Sequence, residues 1–163
     1  MSKPPARRSG QQIFALRENP DGSGELSALL VDPIYMDGLI LPGGSAEQDE
    51  LPHLAARRHL ETETGLVLPL RTVLTIDYMP AAAEFPEGLN LVYAGGILTP
   101  QQANTATHHQ PPEELRALHW APRHQLRDLM ADEQCRRVED AWDAWEHGDG
   151  LPLLVRGVPV PVG

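Results

Sequence analysis

The chain has 163 residues, a length suited to one domain with a single core. Its hydrophobic content of 41% is that of an ordinary globular protein. A formal net charge of −10 argues against a nucleic-acid polymer as partner, because counterion release needs clustered lysine and arginine. One cysteine, Cys135, excludes an intrachain disulfide. No apolar run is long enough to span a membrane, and the basic start, MSKPPARRSGQQ, lacks an apolar signal core. A cytoplasmic protein without a membrane partner is therefore the expectation, and a homodimer is compatible with the composition.

In chain order, residues 1–10 are polar, contain Pro4 and Pro5, and read as a mobile leading segment. Gln12 to Arg17 and Glu25 to Val31 read as strands joined by the turn Asn19-Pro20-Asp21-Gly22-Ser23-Gly24. Leu39 to Leu41 lead into a tight turn at Pro42-Gly43-Gly44. A helix follows, capped by Asp49 or a neighbour, with Pro52 in its first turn and Gly65 as its stop. Arg71 to Tyr78 and Leu89 to Leu98 are strand candidates, joined by the Pro- and Ala-rich linker Met79 to Gly88. Gln101 to Pro112 reads as a polar loop. Leu115 to Trp120 is a further strand and Arg123 to Met130 a short helix. Asp132 to Trp145 reads as a helix capped by Asp132 and ended near Gly148, with Val138, Trp142 and Trp145 on its packing face. The domain proper spans 11–148. The tail, 149–163, has the makings of a short hairpin through Arg156-Gly157.

The segment Leu41 to Leu66, LPGGSAEQDELPHLAARRHLETETGL, carries the chemistry. It resembles the Nudix box, G-x5-E-x7-R-E-U-x-E-E-x-G-U with U apolar. Gly44, Glu50, Arg58, Leu60, Glu63, Gly65 and Leu66 occupy box positions at the right spacing. His59 and Thr62 stand where the pattern has glutamates. The resemblance covers roughly Gln11 to Met130 and implies an α+β fold, the Nudix α/β/α sandwich with a mixed sheet. Outside the box, LRTVLTIDYMP, EGLNLVYAGGIL and EELRALHWAP are similar to a group of actinobacterial Nudix proteins.

Helical spacing orders the box residues. Ala56 and Leu60, four apart, share the buried face, and positions 59, 62 and 63 share another. At roughly 100° per residue, Glu61 points about 160° from Glu63 and cannot replace a missing ligand. The resemblance makes the 59/62/63 face the metal face, here expected open to solvent. It implies catalytic roles for Glu63, His59 and Arg58, and a metal held by Glu63, Gly43, Glu114 and Glu50. Glu114 lies six residues before Trp120, a family spacing; Glu84, Glu87 and Glu113 are further loop carboxylates, each of which could instead be merely solvated. Arg58 orients box glutamates in the family, so an Arg58–Glu50 contact is expected. Tyr78 and Phe85 border the implied substrate cleft, as stacking or packing residues. His108-His109 reads either as a ligand pair or as exposed surface. Cys135 reads as a small buried side chain.

The implied function is hydrolysis of a small-molecule diphosphate, such as a nucleoside diphosphate linked to another group, with Mg2+ or Mn2+. Losing even the indirect support of a metal ligand costs about 10–100-fold, so two replaced carboxylates imply weak metal binding and weakened catalysis. An imidazole at position 59 suits manganese or another softer ion better than magnesium. Two alternatives stay open: an inactive Nudix domain that binds a nucleotide, metabolite or protein, and a changed reaction in a biosynthetic pathway.

Overall fold

A computed structural model describes residues 2–160; Met1 of the leading segment and Pro161, Val162 and Gly163 of the tail lie outside the described residues. Strand β1 (Arg8–Glu18) organises the rest. Its side chains alternate between two covered faces, so Ile13, Phe14, Ala15 and Leu16 are all buried. Strands β2 (Leu26–Pro33), β3 (Gly43–Ser45), β4 (Thr72–Met79), β5 (Gly88–Ile97), β6 (Leu115–Pro122) and β7 (Leu151–Pro152) complete the sheet. The order is β6-β2-β1-β5-β4-β7, with β3 also pairing β1. Among the described residues only the β1–β5 pair runs parallel, which makes the sheet mixed.

Helices cover both faces. Helices α1 (Pro52–Thr64) and α2 (Pro100–His108) pack on the side of Ile13 and Ala15, over a core that includes Leu60, Ala56, Tyr93 and Ala106. A 3-10 turn at Arg123–Gln125 leads into α3 (Leu126–Leu129), then α4 (Asp132–His147), on the side of Phe14 and Leu16. Trp142 and Trp145 meet the Phe14 ring edge-on at centroid distances of 5.3 and 6.5 Å, so both tryptophans serve packing. Cys135 is buried in the same layer. This is the expected α/β/α sandwich.

Four local expectations are corrected. The first strand begins at Arg8, so Arg8 to Gly10 are paired with Gly88 to Asn90, and Gly10 also with Ser45. Two neighbouring strands supply the hydrogen bonds that composition could not foretell. The stretch read as a loop at Gln101 to Pro112 is largely helical. The Thr99 hydroxyl and the Gln102 side chain form a reciprocal capping box, Pro100 opens the first turn, and Ala103 and Ala106 give the helix a buried side. At α1, Leu51 is the N-cap and no side chain caps the helix; Asp49 sits at φ 62°. At α4, Ala131 precedes the helix and Asp132 lies in its first turn, where it favours the helix dipole.

The tail contributes to the sheet through β7, which pairs with β4. Beyond it, β8 (Leu154–Val155) and β9 (Val158–Pro159) form a hairpin. Arg156 and Gly157, at φ 51° and 78°, are its two turn residues, the sign that a tight hairpin requires at both central positions. No helix among the described residues is long and apolar enough to cross a membrane.

Candidate functional site

The box closes on itself through backbone and charge. Strand β3 pairs Gly43, Gly44 and Ser45 with Gln12, Gln11 and Gly10 of β1. Gly43, at φ 146°, lies so close to β1 that a Cβ would collide with the Gln11 carbonyl. Gly44 is covered by the imidazole of His59, whose Nε2 would lie 2.6 Å from a Cβ there. His59 Nε2 is 2.9 Å from the Ser45 carbonyl oxygen. A carbonyl only accepts, so Nε2 carries the proton and donates. That nitrogen is engaged in holding β3 to α1, which leaves Nδ1 as the ring's other donor atom for a metal.

The expected Arg58–Glu50 contact is present and bidentate. Arg58 Nε and Nη2 each donate to one Glu50 carboxylate oxygen at 2.8 Å. The Glu47 backbone N–H donates to the same carboxylate. Arg58, with help from Glu47, pulls the Glu50 carboxyl down to about 2. Glu50 is thus held as an anion that pins the 46–51 segment to the helix.

Glu63 departs from expectation. Its face is not open to solvent: the residue is 6% exposed, behind the Gly43 turn. The Gly43 N–H donates to its carboxylate at 2.8 Å. Burial, reinforced by repulsion from Glu114, pushes its carboxyl up to about 8 despite that bond. The β3 backbone closes over this side of α1, and a helical wheel of α1 alone contains no such information. Tyr35, though its ring is largely exposed, has a phenol raised first by burial and then by the charges of Glu63 and Glu114. Glu63, Glu114 and Tyr35 therefore form one electrostatic group, which joins α1, the start of β6 and the segment after β2.

Beside this group lies a cleft of about 460 Å³, lined by Gly43, Gly44, Ser45, Tyr35 and Phe85 among others. Phe85, 66% exposed, borders it, whereas Tyr78 opens onto a different hollow along β4 and donates its hydroxyl proton to Glu87. Glu87 also pairs with Arg7 at 3.1 Å. Glu63, Glu114 and Glu50 do not line the cleft; Gly43 links it to Glu63. The His108-His109 pair divides. His109 Nε2 donates to the Thr62 carbonyl at 2.9 Å, at the last turn of α1, and His108 Nδ1 contacts the Asn104 carbonyl within α2.

Sequence reading missed the opposite wall of the cleft. Arg137 of α4 is 4% exposed. Its Nε donates to Asp77 at 2.6 Å, and Nη1 donates to Gln12 and Gln134. Arg8 donates to Asn90 at 3.2 Å on the same wall. One signal was available: Arg137 falls beside the apolar stripe of α4, next to Val138 and four residues before Ala141. An arginine there needs a buried partner.

The donor set suits a hard divalent ion through oxygen. Glu63 and Glu114 lie near enough to repel, and a cation between them would relieve both that repulsion and the burial of Glu63. Magnesium is commonly held by one or two carboxylates and completed by waters and substrate phosphates. Among the described residues no group of three His, Cys, Asp or Glu side chains converges as a metal cage.

The NUDIX domain model matches residues 8–141. No curated protein matches the chain by sequence. Solved structures share its fold. A mutT/nudix family protein from Listeria innocua is 18% identical, covers 91% of this chain and 98% of its own, and superposes with a TM-score of 0.68. The NUDIX domain of Shewanella oneidensis NrtR, complexed with ADP-ribose, is 16% identical over 86% of this chain and 90% of its own, at a TM-score of 0.67. Shewanella oneidensis NrtR complexed with a 27mer DNA aligns with 85% of this chain over 62% of its own, at 16% identity and a TM-score of 0.65.

Proposed function

The chain belongs to the NUDIX domain family, and on that premise we propose that it hydrolyses a small-molecule diphosphate, linked to a nucleoside or a comparable group, with a divalent cation. The observation behind this reading is the buried Glu63 carboxylate beside Glu114, bonded to the Gly43 N–H at the edge of the cleft. Glu63, Glu114 and the Gly43 carbonyl are the residues to hold the ion. When bound, such an ion neutralises phosphate charge and lowers the pKa of a water. The chain's own part is to keep Glu63 shielded from bulk water and the box rigid through the Arg58–Glu50 pair. Phe85 offers a ring to a base or apolar tail, and ADP-ribose in the similar NrtR domain is a ligand of that chemical class.

Because Glu63 titrates near 8, a metal ion must displace a proton from it at neutral pH. Together with the replacements at His59 and Thr62, this supports weak magnesium binding and slow turnover. The test is incubation with a panel of nucleoside diphosphate derivatives and magnesium, manganese or zinc, followed by separation of the two phosphomonoesters that hydrolysis of the linkage yields. Product formation that depends on metal and disappears in Glu63→Gln supports the reading; no product from the panel with any ion counts against it.

A second reading, ligand binding without turnover, is favoured by one observation. His59 serves the Gly44–Ser45 turn through its Nε2 proton, a structural duty at a position where the box has a carboxylate. Calorimetry with ADP-ribose distinguishes the two: tight binding with the diphosphate left uncleaved selects this reading.

A further inference from the structure

A hollow of about 520 Å³ contains none of the box residues. It lies between the end of β1 and α2. Ile97, Leu98, Pro100 and Ala103 supply its apolar surface, and Asn104 stands at its rim on the exposed side of α2. That size is within the range of small-molecule sites.

One cation lines it. The Arg17 guanidinium lies over the Trp120 ring at 4.4 Å from the centroid. Trp120 is itself fixed, since its indole N–H donates to the Thr107 hydroxyl at 3.0 Å, and Thr107 is part of the same hollow. Arg17 Nε is cut off from solvent and has no hydrogen-bond partner. Burial is the single influence on its titration, and it disfavours the charge. Five of the other arginines, Arg7, Arg58, Arg116, Arg123 and Arg137, pair with a carboxylate, and Arg17 is distinguished from the remaining ones by its buried, unpartnered Nε. In a chain with 23 acidic residues, partners were abundant. Leaving a buried donor unsatisfied is destabilising, and more so for a charged group. A cation held rigidly on an aromatic ring at such a cost, beside an apolar hollow, has the form of half an ion pair. Glu18 is the acidic residue in the lining. It disfavours a multiply charged phosphate and leaves room for a single negative charge opposite Arg17.

We propose that this hollow binds a small organic monoanion, a carboxylate on an apolar body, with the carboxylate on the Arg17 guanidinium and the body against Ile97, Leu98 and Ala103. The site is separate from the box and does not depend on the hydrolase reading. Planar guanidinium and carboxylate match in a two-bond geometry that a lone ammonium does not offer.

The test is a titration of the full, isotope-labelled chain with hexanoate and, in parallel, with the neutral hexanamide, followed by amide chemical shifts. Hexanoate should move the resonances of Ile97, Ala103, Asn104 and Thr107, and hexanamide should bind at least about tenfold more weakly. Arg17→Gln should bring hexanoate down to the amide's affinity. Asn104→Trp, which fills the mouth from an exposed helix position, should abolish the shifts. Equal binding of the two probes, shifts located elsewhere, or an unchanged affinity in a folded Arg17→Gln variant would overturn the proposal. Should Arg17→Gln lose its native spectrum, Asn104→Trp decides alone, and hexanoate shifts that persist in it refute the site.

Discussion

Replacing Glu63 by glutamine should relieve the metal-free protein of a penalty that grows with pH, so that the variant gains on the parent from acid to alkaline pH. The carboxyl titrates near its ordinary value of 4.5 in the unfolded chain and at about 8 in the folded one. The folded state therefore holds its proton more tightly. Stability from this group is complete below 4.5 and is lost as pH rises through 8. Each pKa unit is worth about 1.4 kcal/mol, so the loss is roughly 3 kcal/mol at pH 7 and approaches 5 above both values. Glutamine keeps an oxygen for the Gly43 N–H and never ionises. Its amide protons need partners, which costs about 1–3 kcal/mol if they find none. The charge penalty is the larger effect once pH exceeds 7. The assay is urea unfolding of both proteins with chelator at pH 5, 6, 7 and 8. Taking the difference cancels every other titrating group. The gap should widen by at least about 2 kcal/mol in favour of Glu63→Gln between pH 5 and 8. A gap that stays flat, or a variant less stable at pH 8, would refute the burial of an ionisable Glu63.

Leu60 is fully buried under α1, so Leu60→Ala should lower stability by about 2–5 kcal/mol in the same unfolding assay, at every pH. Gly44→Ala should cost about 1–3 kcal/mol by forcing the His59 ring aside. In a double-mutant cycle, His59→Ala should recover most of that loss; additive costs would mean the ring does not cover Gly44. His59→Glu with Thr62→Glu should raise magnesium-dependent cleavage of the diphosphate, since both carboxylates join the α1 face that bears Glu63; an unchanged rate would favour the binding reading.

The register of α1 was legible because it follows from local rules. Ala56 and Leu60 recur at helical spacing and both are buried. Gly65 takes the left-handed conformation that ends the helix. Arg58 reaches back eight residues to Glu50, a contact that the resemblance to the box implied. Helix α2 was missed although its signals are also local: Thr99, Pro100 and Gln102 are a capping sequence, outweighed by the polar composition of residues 104–110. The electrostatics of Glu63 and the cleft wall at Arg137 were not legible in the same way.

Sequence by itself determined the stops of α1 at Gly65 and α4 at Gly148 and the apolar side of both helices, because those depend on side-chain shape and on neighbours three or four residues away. Only the tertiary structure decided that Glu63 is buried, since its cover is Gly43, twenty residues back, on a strand held by β1. It likewise joined Arg137 to Asp77 across 60 residues and brought Arg17 over Trp120 without a carboxylate. Desolvation and charge pairing depend on what lies within a few ångströms in space, and that is settled only when distant segments pack.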